Sequence, residues 1–287
     1  MSRPLPPFVH PKTHAPLSRE TGGFRCRANG EFFPDEQGVP SFLPASLRRI
    51  LMEEHSDFVN KVKTLLRRFP ALYRILIVLI SPVCFTGLTG KKFTRSFPSH
   101  ALLLNIGSGI HRYTETMVNL DVHPYKGVDV LADASTLPFP EGTFDGVLCE
   151  ALLEHVREPQ AVTREILRVL KVGGRAYITV PFIYPFHACP NDFYRWSESG
   201  TRELGKDAEI EHLALRAGPA SALVAQLVTF FAIVFSFGSV PLYHFLSMLL
   251  LPFFAPLKFL DFLLVKMPTA VHGAEGFSIV VRKPVVR

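Results

Sequence analysis

Cysteine is scarce. The 287 residues contain four, Cys26, Cys84, Cys149 and Cys189, and no two form a C-x-x-C pair. Structural disulfides are therefore not expected, and a reducing, cytoplasmic compartment fits best. No N-terminal stretch reads as a secretory signal, because residues 1–45 are Pro-rich and polar. No internal repeat is present. Formal charge is missing over one long stretch, the 41 residues from Ala217 to Leu257. The chain as a whole is 48% hydrophobic and 20% charged, which excludes global disorder and supports a sizeable core. Mean hydropathy is high at +0.22, and the excess is concentrated in that uncharged run.

The net charge of +6 is local as well. Arg48 to Arg95 holds ten basic residues against three acids, a balance of +7. Such a cluster attracts nucleic acid or an anionic membrane face, and it equally suits a solvated helix surface. The chain divides into a Pro/Gly/Phe-rich module (1–45), a basic, apolar and helical segment (46–95), a central region (96–216), a hydrophobic helical insertion (217–269) and a last strand (270–287). In the central region Ala101–Ile106, Val118–Val122, Val128–Asp133, Phe144–Cys149 and Arg175–Val180 read as short strands. Pro159–Leu170 reads as an amphipathic helix ended by Gly173-Gly174. Strands alternating with helical or turn segments predict an α/β fold with a mostly parallel, Rossmann-like sheet.

Ligands of such sheets bind at the carboxyl ends of the strands. After the first strand comes Asn105-Ile106-Gly107-Ser108-Gly109, where glycines permit a tight turn and close approach to a ligand. The second strand ends at Asp121-Val122, an acid placed to accept hydrogen bonds from ribose hydroxyls. The third ends at Asp133-Ala134, placed to hold the exocyclic amine of an adenine. Each acid alone could be a turn residue. Their repetition at successive strand ends favours nucleoside binding. The full G-x-G-x-x-G of dinucleotide folds is absent.

From Leu102 to about Trp196 the chain resembles the class I S-adenosylmethionine-dependent methyltransferases of the type 11 group. The resemblance rests on "LPFPEGTFDGVLCEALLEHV" followed by "EILRVLKVGGRAYITVP". It implies S-adenosylmethionine as cofactor. Gly107 and Gly109, with Asn105 and Ser108 in the same turn, would then line its amino-acid end. Asp121 and Val122 would bind its ribose, Asp133 and Ala134 its adenine, and Glu150 and Ala151 its methionine moiety. Asn105 stands where the family usually has an acid, and His111 replaces a third glycine. Only eight residues separate Gly109 from Val118, so the usual first helix is shortened or missing. Residues 8–44 resemble a zinc-ribbon-like module found beside methyltransferases. Here His10 and Thr13 occupy the first cysteine pair, so a ribbon without metal is expected, held by Phe24, Phe32, Phe33, Val39 and Phe42.

The sulfonium carries the reactivity of such a cofactor, so the protein has to align an acceptor and remove a proton where needed. His155 is a candidate base, or a histidine that only hydrogen-bonds the backbone. The segment Phe186–Trp196 gathers His187, Asp192, Tyr194 and Arg195. It suits a polar or anionic acceptor, or else forms a structural loop with Arg195 paired to Asp192 and Trp196 in the core. No metal is expected, because His187 and Cys189 lack a further ligand pair at suitable spacing.

The uncharged run is long enough for two membrane spans, but Pro219, Pro241, Pro252 and Pro256 interrupt it. Residues 248–265, with Lys258 and Asp261, read as amphipathic. A re-entrant or interfacial insertion is the expectation, docked beside the apolar helix of Ala71–Phe85 on the cytoplasmic face of a membrane. Arg216, Lys258 and Lys266 would lie on the cytoplasmic side. A helical lid packed on the domain is the alternative. The partner expected is a small or lipid-linked acceptor, not nucleic acid. The competing functions are a non-catalytic Rossmann-like binding protein and an RNA methyltransferase.

Overall fold

The computed structural model describes residues 5–45, 47–48, 81–187 and 191–285. Most of the basic segment (49–80), including most of the expected Ala71–Phe85 helix, and Cys189 lie outside the described residues.

Near the N-terminus four short strands, β1 (Leu17–Glu20), β2 (Gly23–Cys26), β3 (Phe32–Glu36) and β4 (Val39–Pro40), form an antiparallel sheet in sequence order. Their length leaves little room for a core of their own, so the module shares one. Phe8, Phe33 and Phe42 are buried, and the Phe8 ring lies 5.7 Å from that of Phe139 in the main domain. Backbone bonds stitch the two together: Val9 N–H donates to the Pro138 carbonyl at 3.1 Å and Phe42 N–H to that of Leu131 at 2.7 Å. The expectation for Phe32 fails, since its ring is exposed beneath the Arg25 guanidinium. In the first cysteine pair's place, His10 Nδ1 accepts the N–H groups of Lys12 and Thr13, and its Nε2 meets Glu31 at 2.8 Å.

After a short helix α1 (Gly90–Thr94) the main sheet begins. It contains β5 (Leu103–Ile106), β6 (Met117–Asp121), β7 (Val130–Leu131), β8 (Phe144–Glu150), β9 (Leu170–Pro181), β10 (Glu209–Ala217) and β11 (Gly276–Arg282). The spatial order is β10-β11-β9-β8-β5-β6-β7, and β11 alone runs antiparallel to its neighbours. The alternation of side chains explains why both faces are dry. Leu104 and Ile106 pack into one core beneath α2 (Pro159–Val169), whose Val162, Ile166 and Val169 form its buried stripe. Leu103 packs into the other, with Phe93, Met117, Leu148 and Tyr177.

Two boundaries differ from the sequence reading. The third strand is only Val130–Leu131, because Asp129 and Asp133 turn their carboxylates to backbone N–H groups or side chains at either end. The helix stops at Val169, four residues before Gly173. The Gly173-Gly174 pair lies inside β9, where the register to β8 jumps from Leu170 to Arg175. Gly173 takes φ +75° there, a conformation that favours glycine.

Between β10 and β11 the chain leaves the sheet as α4 (Pro219–Ser236) and α5 (Val240–Phe254), preceded by α3 (Glu198–Leu204) before β10 and followed by α6 (Asp261–Leu264). By length and composition Pro219–Ser236 and Val240–Leu264 could each cross a membrane. The amphipathic reading of 248–265 is inverted here. Lys258 is 1% and Asp261 0% exposed, whereas Phe253, Phe259, Phe262 and Leu263 face outward. Asp261 accepts the N–H groups of Gly218, Ala220 and Ser221 and the Ser221 hydroxyl, so it caps the N-terminus of α4 from another element. Lys258 donates to the Ser81 carbonyl at 2.6 Å. Arg216 is also buried and pairs with Glu275. Neither Arg216 nor Lys258 is therefore available to anionic lipid. Lys266 is exposed.

Candidate active site

The carboxyl ends of β5, β6, β7 and β8 open into one cavity of about 760 Å³. Gly107 and Gly109 line it after β5, Asp121 and Val122 at the end of β6, Asp133 and Ala134 after β7, and Ala151 and His155 after β8. Asn191, Phe193 and Tyr125 are also part of the wall. A second cavity of about 340 Å³ lies between β10 and the insertion, and no titratable side chain lines it.

Local backbone conformation shapes the larger cavity. Gly107 has φ +68°, and a Cβ there would meet the Leu152 side chain at 3.0 Å. Ala151 is left-handed too, at φ +49°, an uncommon conformation for a residue with a Cβ. It is held by its N–H, which donates to the Thr179 carbonyl at 3.2 Å and hydroxyl at 3.1 Å. No helix follows Gly109. The loop reaches β6 through turns, closed by Asn105 and Asn119, whose amides both donate to the His111 carbonyl.

The two acids at the strand ends are preorganised. Asp121 Oδ2 accepts Gly109 N–H at 2.8 Å and Oδ1 accepts His123 N–H at 3.0 Å. Each oxygen keeps a lone pair for a further donor. Asp133 Oδ1 accepts the N–H and hydroxyl of Ser135, both at 2.8 Å, and Oδ2 has no partner among the described residues. Three cofactor candidates do not line the cavity: Asn105 and Ser108 are buried, and Glu150 accepts the Tyr113 hydroxyl at 2.6 Å; nor do His187, Asp192, Tyr194 and Arg195 line it. Burial foremost, then Glu150, raises the Tyr113 phenol above its ordinary pKa and keeps it a donor.

The segment after β9 divides in two. Arg195 gives all its N–H groups away: two to Asp192, one of them at 2.7 Å, and the others to the carbonyls of Tyr184, Pro185 and Tyr194. The paired fork holds the Asp192 carboxyl down at about 2. Arg195 and Asp192 thus clamp the loop instead of presenting a free fork to an acceptor. Tyr194 donates to the Arg157 carbonyl at 2.8 Å and Trp196 is buried, so both serve the loop's frame. His155 and His187 form the other half. His155 Nδ1 meets the Asn191 carbonyl at 2.6 Å, and the two imidazoles stand edge to face 5.1 Å apart. Burial alone would lower the His187 pKa, but Glu154, the Pro185 carbonyl and Asp192 raise it overall. Sequence reasoning missed Glu154. It adjoins His155 in the Leu153–His155 turn, is wholly buried and has neither carboxylate oxygen hydrogen-bonded among the described residues.

Residues 104–178 match a methyltransferase domain family. The matched segment runs from β5 into β9 and supplies every strand end of the cavity. The chain is 41% identical over 68 residues to the ubiquinone/menaquinone biosynthesis C-methyltransferase of Desulfotalea psychrophila, covering 21% of this chain and 28% of that protein. It is 34% identical over 65 residues to the ubiquinone biosynthesis O-methyltransferase of Xanthomonas oryzae pv. oryzae, covering 23% and 25%. It therefore spans about a quarter of the length of these curated relatives. Among solved structures, it is similar to the 1,6-didemethyltoxoflavin-N1-methyltransferase of Burkholderia thailandensis. There the TM-score is 0.40 at 15% identity, covering 67% of this chain and 74% of the other.

Proposed function

We propose that this chain is an S-adenosylmethionine-dependent methyltransferase acting on a small or lipid-linked acceptor at the cytoplasmic face of a membrane. The observation that carries the first half is the cavity at four successive strand ends within the matched methyltransferase segment. Asp121 would accept the ribose hydroxyls on its remaining lone pairs, with Val122 beside it. Asp133 Oδ2 would accept the adenine amine, with Ala134 against the ring. Gly107, Gly109 and Ala151 would flank the methionine end, where the left-handed backbones bring the chain close. The cofactor's sulfonium supplies the reactive methyl. The chain's own part is to exclude water, align the acceptor and take its proton, for which His155 on the cavity wall is placed.

The acceptor reading rests on two supports. Relatives matched over this segment are named as methyltransferases of ubiquinone and menaquinone biosynthesis. The insertion exposes large apolar side chains, with Phe237 89% and Phe253 76% exposed, and turns Lys258 and Asp261 inward. Apolar area of that kind partitions into a lipid interface. The test is transfer of radiolabelled methyl from S-adenosylmethionine into a bacterial extract split into lipid and aqueous fractions. Label in the lipid fraction is expected. Label confined to the aqueous fraction, with the protein wholly soluble at low salt, would overturn the membrane half.

A further inference from the structure

Glu154 is a buried carboxylate to which the reading above gives no task. Its exposure is 0%, and neither oxygen has a hydrogen-bond partner among the described residues. Leaving such a group unpaired is costly. The cations nearby are committed elsewhere, Arg195 to Asp192 and three carbonyls, and Arg216 to Glu275. Of the remaining side chains, His187 reaches toward Glu154, its Nε2 3.8 Å from Oε1 and too far for a hydrogen bond. His155 brings a third group, and one ligand atom from each of Glu154, His155 and His187 lies within 4.8 Å of the others.

The far nitrogens of both rings are already held. His155 Nδ1 meets the Asn191 carbonyl at 2.6 Å. His187 Nδ1 meets the Pro185 carbonyl at 3.1 Å, with Asp192 Oδ2 at 3.5 Å and Arg195 Nη2 at 3.4 Å beyond it. Carbonyl acceptors at Nδ1 keep the proton there and leave the lone pair on Nε2, as outer-shell groups do for metal-bound histidines. Two imidazole lone pairs and one carboxylate form the donor set of a divalent transition metal with open positions.

We infer that Glu154, His155 and His187 bind a divalent transition-metal cation such as Zn²⁺, with its open coordination positions facing the cavity that His155 lines. Ligand atoms around such an ion stand about 3 Å apart, so the half-exposed His187 closes inward by about an ångström on binding. The role of the ion rests on the methyl-transfer reading. An acceptor hydroxyl bound to it gives up its proton to solvent more readily. The oxygen then forms a bond to the methyl carbon as the carbon–sulfur bond breaks, its electron pair returning to sulfur. His155 in this arrangement is a ligand, and the metal takes over the work of a base.

The experiment is titration of the full chain, freed of metal by chelator and exchanged into buffer, with Zn²⁺ by calorimetry and Co²⁺ by visible absorption. Wild type is expected to take up one ion per chain, and Glu154→Gln and His187→Gln each to weaken binding at least ~100-fold. Circular dichroism shows whether each variant is folded, and because His187 is at the rim its substitution tests the site even if the buried one unfolds the protein. S-adenosylhomocysteine binding, measured on the same samples, separates the two readings. Metal binding without S-adenosylhomocysteine binding would remove the catalytic role and leave the site. No uptake of either ion by folded wild type, or uptake that both variants retain, overturns the inference.

Discussion

The sheet and the insertion solve burial in opposite senses. In the sheet, apolar side chains fill both faces, and ion pairs such as Lys171–Asp145 lie at the rim, 48% and 32% exposed. In the insertion, Lys258 and Asp261 are inside, while Phe237, Phe245, Phe253 and Phe262 are outside. The first arrangement is that of a protein surrounded by water. The second is explained if the outer surface of the insertion meets something apolar and Lys258 and Asp261 act as internal fasteners. The junction between the two is the buried Arg216–Glu275 pair, at the end of β10 and the start of β11.

Breaking that junction is expected to have the largest effect. Burial works against the Arg216 charge, and Glu275 more than offsets it, so the guanidinium pKa is raised. Arg216→Met leaves Glu275 buried and alone, and urea unfolding in mild detergent should show a loss of about 3–5 kcal/mol. Asp261→Ala comes next. It uncaps α4 and removes four hydrogen bonds to a charged acceptor, with an expected loss of roughly 2–4 kcal/mol in the same assay. Phe237→Ser with Phe253→Ser sharpens the contrast from the other side. Stability in detergent should stay within about 0.5 kcal/mol, as for exposed positions, while partitioning to lipid vesicles falls at least ~10-fold. An unchanged partition coefficient would place the insertion's apolar surface against protein instead.

The smallest effect belongs to the rim of the sheet. Burial would raise the Asp145 carboxyl, but Lys171, the Leu102 N–H and His100 bring it below its ordinary value. A carboxyl lowered on folding contributes stability above its unfolded pKa of about 4, and that contribution is lost as pH falls through the folded value. For so exposed a pair the contribution is at most about 1 kcal/mol. Asp145→Asn should therefore flatten the stability–pH curve slightly below about pH 4, and added salt should mimic it.

The residues whose place was legible in the sequence share one property: they stand at strand ends. Asp121 and Asp133 end short apolar runs, so their place at the rim of a parallel sheet needs no tertiary information. Lys258 and Asp261 were legible only as neighbours on one helix face. Periodicity separates two faces without saying which one is buried, and the charged face turned inward because the N-terminus of α4 offered donors from forty residues away. Arg195 read either as a fork for an anionic acceptor or as the partner of Asp192 in a structural loop, because its five donors are visible in the sequence and the carbonyls that consume them are not. Glu154 was passed over for a similar reason. Its significance depends on His187 folding back from the end of β9, across thirty residues that contain a helix and a strand.

The central claim, that the strand-end cavity holds S-adenosylmethionine, is tested most directly by calorimetric titration of the purified chain with S-adenosylhomocysteine. Folded wild type should bind one equivalent with micromolar affinity, and Asp121→Ala should bind at least ~10-fold more weakly. No binding by folded wild type would contradict the claim, and the cavity would belong to a different ligand.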